Sequence, residues 1–157
     1  MIIDNKTRYY LYSGTVGWTG SKGFESIYPE DLPEEWRLAY YNTQFRCTYL
    51  PLEIWTKLTE PEITVLLDET QEGFRFVLES PKEIEQNILN VINKLRSKCV
   101  VEDEVDIHWL EPGISMRELA KIMQSAINTG HPLYLISRDA DLVLLRQVNE
   151  LMEVLGA

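Results

Sequence analysis

The chain has 157 residues, 45% hydrophobic and 10% aromatic, enough to bury one sizeable core without disulfide or metal staples. Lys and Arg total 15 against 25 Asp and Glu, a formal net charge of −10. That balance argues against nucleic acid and against anionic lipid as partners, since both need a cationic face. Cys47 and Cys99 stand in neither metal-ligand nor redox spacing, so a reduced, cytoplasmic compartment is expected. No apolar run approaches the roughly 20 residues of a membrane helix, and the first eight residues lack a signal-peptide apolar core. A single soluble domain over 1–157, with a polar segment 1–8 at its start, is the expectation.

In chain order, Tyr9 to Ser13 reads as an aromatic strand stopped by Gly14 and Gly17. A loop follows through Trp18, Thr19, Gly20, Ser21, Lys22 and Gly23. Asp31-Leu32-Pro33-Glu34-Glu35 is a helix entrance: proline suits a first turn, and the acids suit the positive dipole end. The helix continues through Trp36, Tyr40 and Tyr41 toward Gln44. Cys47 to Leu50 is a short strand ended by Pro51. Ile63 to Leu67 has strand propensity, but Pro61-Glu62 before it is a helix start, and a short helix is predicted. Phe74 to Leu78 is a buried strand. Pro81 opens a helix with Ile84, Ile88, Val91 and Leu95 on one face.

The acidic turn Glu102-Asp103-Glu104 precedes a fourth strand, Val105 to Leu110. Ser115 and Glu118 fit a capping box before a helix with Leu119, Met123 and Ile127 on its apolar face, ended by Gly130. Pro132 to Ser137 is a fifth strand. Asp139 or Asp141 caps the last helix, striped by Leu142, Leu145, Val148, Leu151 and Leu155. Alternation of this kind predicts an α/β fold of five βα units with a mainly parallel sheet, either open or a truncated TIM-like barrel.

Three segments resemble the YecE-like family, domain-of-unknown-function family 72. Ser13-Gly14-Thr15-Val16-Gly17-Trp18 is similar to its Gly-Thr-Ser-Gly-Trp opening. Ile27-Tyr28-Pro29-Glu30-Asp31-Leu32-Pro33, with Trp36, Tyr40-Tyr41 and Phe45, resembles its Phe-Tyr-Pro, Leu-Pro and Tyr-Tyr-Ala-x-x-Phe pattern. Pro61-Glu62 and then Glu72-Gly73-Phe74-Arg75-Phe76 match a Pro-Glu start and a Glu-Gly-Phe-Arg-Phe strand. The likeness covers Tyr12 to Pro81. It implies a TIM-barrel-like fold and a helix before the Phe-Arg-Phe strand.

The departures bear on function. Where the family carries Thr-Val-Glu-Ile-Asn, this chain has Cys47-Thr48-Tyr49-Leu50-Pro51, so Tyr49 replaces the acid and Pro51 the amide, with Glu53 nearby. The strand that usually ends in Lys near a later Thr-His ends here in Glu79-Ser80-Pro81. The chain is also shorter than the roughly 200 residues a complete (β/α)₈ barrel requires.

Loops after the carboxyl ends of parallel strands collect ligands. Here they present Trp18, Tyr49, Glu79, Glu111, Arg138 and Asp139, enough carboxylate, phenol and guanidinium for acid–base work or for gripping a polyol. The plainer reading makes Asp139 a helix cap, Arg138 its ion-pair partner, and Glu79 and Glu111 solvated loop acids. His108 and His131 have no partner at metal spacing, and no HExxH or CxxC motif exists, so neither metal nor cofactor is expected. Cys47 reads as a small core residue, and Cys99 as packing at a helix end. Gly14, Gly17, Gly20 and Gly23 match no phosphate-loop spacing.

The sequence therefore reads as a non-catalytic binding or assembly protein. The alternative is an enzyme whose acidic strand-end pocket acts on a small polar or sugar-like molecule. Tyr9–Tyr12 and Leu133–Ile136 are the candidate sheet edges, and both lack a blunting lysine or internal proline. Together with the consecutive Leu142-Val143-Leu144-Leu145, they predict self-association as a two-fold homodimer.

Overall fold

The computed structural model describes residues 9–20 and 22–156; the polar segment 1–8 lies outside them. Six strands form one all-parallel sheet: β1 (Leu11–Val16), β2 (Cys47–Leu50), β3 (Arg75–Leu78), β4 (Cys99–Val101), β5 (Asp106–Leu110) and β6 (Leu133–Ser137). Their order is β4-β3-β2-β1-β6-β5. The helices are α1 (Arg37–Gln44), α2 (Leu52–Trp55), α3 (Glu60–Asp68), α4 (Gln86–Leu95), α5 (Met116–Thr129) and α6 (Leu142–Leu155).

The winding follows from that order. From β1 to β4 each strand is added on the same side of its predecessor, and the step from β5 to β6 runs in the same sense. Right-handed crossovers in one direction put every connecting helix on one face. The core bears this out. Leu11, Leu50, Phe76, Leu78, Leu133 and Leu135 pack on that face against Leu38, Trp55, Leu66, Leu95, Leu119 and Leu145 from the helical layer. The opposite face carries Tyr12, Cys47, Tyr49, Val77, Tyr134 and Ile136, joined by Val100, Val105, Ile107 and Trp109, with no helix among them.

With no helix of the described residues on it, that second face is covered by curling. The rings of Tyr49 on β2 and Trp109 on β5 meet at a centroid distance of 5.0 Å. Two strands separate β2 from β5, and at the usual strand spacing a flat sheet would hold them about 14 Å apart. The sheet is thus an open half-barrel whose inner face packs against itself. Its two edges, β4 and β5, are joined by residues 102–105 alone. Glu102–Glu104 of this stretch form a single 3-10 turn, and its Val105 lies among the inner-face side chains.

The opening motif is explained by packing. A Cβ on Gly14 would fall 1.9 Å from the carbonyl oxygen of Cys47, so only glycine lets β1 approach β2. Beside it the Tyr41 hydroxyl accepts from Thr15 N–H at 2.8 Å and donates to the Cys47 carbonyl at 2.7 Å. Gly17 turns the chain out of β1 at φ +69°, and the Tyr28 hydroxyl donates to the carbonyl of Trp18. Tyr28 and Tyr41, two of the resembling positions, are brackets for this corner.

Several expectations need correction. Six strands replace five: β4 is only Cys-Val-Val, so Cys99 is a strand residue, half-buried, with its Sγ toward the Ile92 carbonyl. β1 begins at Leu11 and runs through Gly14 to Val16. The strands expected at the edges, β1 and β6, lie side by side in the interior of the sheet. Ile84 precedes α4 and is 68% exposed rather than part of its apolar face. The helix entrance after Pro33 is a 3-10 turn, Glu34–Trp36, that passes into α1. Elsewhere expectation and structure agree: β2 has the expected bounds, and α3 fills the ambiguous stretch with a complete Thr59–Glu62 capping box. Of the two acids before α6, Asp141 is the cap, accepting from Leu144 N–H at 3.2 Å.

Candidate functional site

Alternation along the strands decides which side chains meet at the carboxyl end of the half-barrel. Tyr49 shares the inner face with Cys47, and Trp109 shares it with Ile107. One period beyond Ile136 comes Arg138, whose guanidinium lies 3.8 Å above the centre of the Trp109 ring. The Tyr49 ring meets the same indole in a T-shaped contact at an interplanar angle of 71°. Trp109 therefore contacts both a phenol and a guanidinium, a cluster that joins aromatic and cation–π attraction.

The connection after β4 completes the arrangement. The Glu102 carboxylate stands beside the Tyr49 phenol and accepts from Ser80 N–H at 3.3 Å. Ser80 Oγ in turn accepts from Asp103 N–H at 3.0 Å. Burial raises the Tyr49 phenol well above the ordinary tyrosine range. The neighbouring Glu102 and the charge of Glu79 push the same way, with Arg138 opposing. Tyr49 is therefore a neutral donor near neutral pH, and not a base.

Glu79 is held at its own post. Its Oε1 accepts from Leu52 N–H at 2.7 Å, at the start of α2, and its carbonyl accepts from Trp55 Nε1 at 3.1 Å. The remaining candidates stand apart. Trp18 packs against the helical-side core and lines a cleft of about 300 Å³ with Val16, Leu50, Pro51 and Ile54. Glu111 is exposed, its carbonyl closing a turn to Ile114 N–H. Asp139 is exposed, and its carbonyl oxygen lies against Gly23. The structure thus gathers Tyr49, Glu79 and Arg138 and adds Trp109 and Glu102, which sequence reasoning did not place there. Strand parity from Ile107 was the available signal for Trp109. For Glu102 there was none, because its position depends on the path from β4 to β5.

Neither thiol is poised for attack. Burial pushes the Cys47 thiol far up, and burial with the nearby Glu104 charge pushes Cys99 to about 11. Among the described residues no three His, Cys, Asp or Glu side chains group to hold a metal ion, and no helix is long and apolar enough to cross a membrane.

A singly wound, open α/β half-barrel with a packed inner face defines the class. Within it the chain belongs to the DUF72 family, described as a protein of unknown function, whose profile matches residues 12–141. A solved structure with the same fold is that of a DUF72 family protein from Thermotoga maritima MSB8, at 14% identity and a TM-score of 0.55. The match covers 91% of this chain and 99% of the other. No curated protein matches the chain.

Proposed function

We propose that this protein is a non-catalytic binding or assembly member of its family. The observation that supports this most is the Tyr49–Trp109–Arg138 stack, which occupies the inner face toward the carboxyl end of the half-barrel, where ligands of such sheets collect. A catalytic reading would need Glu79 and Glu102, which flank Tyr49. Each already accepts a main-chain N–H, from Leu52 and from Ser80, a positioning role rather than a free acid or base. Assembly finds support at the edges of the sheet. β4 and β5 carry neither lysine nor proline to blunt them, and Val143 on α6 is 72% exposed. A two-fold homodimer would cover these features, and a small polar molecule remains the ligand class for the binding role.

The test is a thermal-shift screen across metabolites, sugars and divalent metals, combined with turnover assays on every compound that stabilises the fold. Stabilisation without turnover is the expected outcome. Turnover that disappears in Glu79→Gln would refute the proposal.

A further inference from the structure

The opposite, amino-terminal end of the half-barrel holds a cavity of about 590 Å³, well inside the range of small-molecule sites. It lies beneath the link that spans the gap between β4 and β5. Asp103, Glu104 and Asp106 line it from that link and the start of β5, and Arg75 lines it from β3. Val100, Val105 and Pro132 supply apolar wall, and the buried rings of Tyr12 and Tyr134 stack on each other at 4.5 Å.

Carboxylates on an exposed turn would ordinarily be solvated and mean nothing. Here a guanidinium shares the cavity without pairing with them. Arg75 Nη1 donates to the carbonyls of Glu72 and Phe74 at 3.0 and 2.9 Å. Among the described residues Arg75 makes no ion pair with Asp103, Glu104 or Asp106. Opposite charges lining one cavity without closing on each other suit a ligand that carries both signs. Three carboxylates against one guanidinium, with the His131 imidazole on the same wall, favour more than one cationic group on that ligand. Tyrosine rings add to the affinity for ammonium.

From this geometry we infer that the cavity binds a basic amino acid. Its carboxylate pairs with Arg75, its ammonium groups pair with Asp103, Glu104 and Asp106, and its alkyl chain lies on Val100, Val105 and Pro132. The inference rests on the binding reading above and gives it a place, at the end of the barrel away from the Tyr49–Trp109 stack. A bidentate guanidinium–carboxylate contact would set the selectivity for an amino acid over a plain amine.

Calorimetric titration with four probes tests it: L-lysine, cadaverine (no carboxylate), L-norleucine (no side-chain ammonium) and 6-aminohexanoate (no α-ammonium). L-lysine should bind at least about tenfold more tightly than each of the others. Arg75→Gln should abolish the preference for lysine over cadaverine without weakening cadaverine, which loses a like-charged neighbour, a pattern that general loosening of the fold would not produce. Because Arg75 also braces two carbonyls, Glu104→Gln on the exposed link is the second variant, and it should weaken lysine and cadaverine alike. Lysine binding no tighter than cadaverine, or a preference that survives in Arg75→Gln, overturns the inference. So does the absence of heat at lysine concentrations of about 10 mM, a level that would still detect weak millimolar binding. Stabilisation by other compounds that is indifferent to Arg75→Gln would remove this site and leave the binding reading standing.

Discussion

Tyr49 and Trp109 touch across the inside of the half-barrel, ring edge to ring face at 5.0 Å, although their strands are separated by two others. That single contact ties the curl of the sheet to the packing of its inner face. If it carries energy beyond area burial, a double-mutant cycle will show coupling. Tyr49→Leu and Trp109→Leu, alone and together, are expected to couple by about 0.5–1.5 kcal/mol in urea unfolding. Strict additivity would mean that the rings are neighbours without consequence.

The corner between β1 and β2 should be the least tolerant place in the fold. Gly14→Ala forces a methyl against the Cys47 carbonyl and should cost more than about 3 kcal/mol or prevent folding. Tyr41→Phe keeps the ring and strips the hydroxyl from Thr15 N–H and Cys47 carbonyl, with an expected loss of about 1–3 kcal/mol for buried groups left unpaired. Denaturant midpoints at constant slope measure both. A change under half a kcal/mol in either would show that the corner relaxes freely.

Acid should loosen the start of α3. Hydrogen bonds from the backbone and side chain of Thr59 hold the Glu62 carboxyl below its ordinary value of 4.5. A lowered carboxylate pKa contributes stability above the unfolded value, and that contribution is lost as pH falls through the folded one. Glu62→Gln should therefore lower stability in the neutral region, converge with the parent in acid, and so flatten part of the acid limb. An unchanged acid limb would contradict the capping box as a charged interaction.

Much of this architecture was legible from residues. Cys47–Leu50 declares itself by apolar, β-favouring residues stopped by Pro51, and Thr59 to Glu62 by its capping chemistry. What stayed hidden has physical causes. β4 is too short for a period-2 signal, and Gly14 reads as a breaker when it is a close-approach residue inside β1. The edges were misread because chain order does not reveal strand order: the return from β4 to β5 places β6 beside β1 and buries both. Alternation alone would have put Tyr49, Trp109 and Arg138 on one face. Their meeting needed the curl, which no local pattern encodes.

Self-association can be read by light scattering. With β4 and β5 as the edges, a two-fold dimer predicts twice the 18.3 kDa chain mass at micromolar concentration. A mass of one chain across the dilution range would remove the assembly half of the proposal and leave its binding half.

The most direct test of the central claim repeats the ligand screen on Glu79→Gln. Glutamine keeps an oxygen for Leu52 N–H, so the fold should stay within about half a kcal/mol of the parent. If the carboxyl end of the half-barrel is a closed, non-catalytic surface, every compound that raises the melting temperature of the parent will raise that of the variant equally. A compound whose stabilisation collapses in Glu79→Gln would contradict the account and make the strand-end acids a working site.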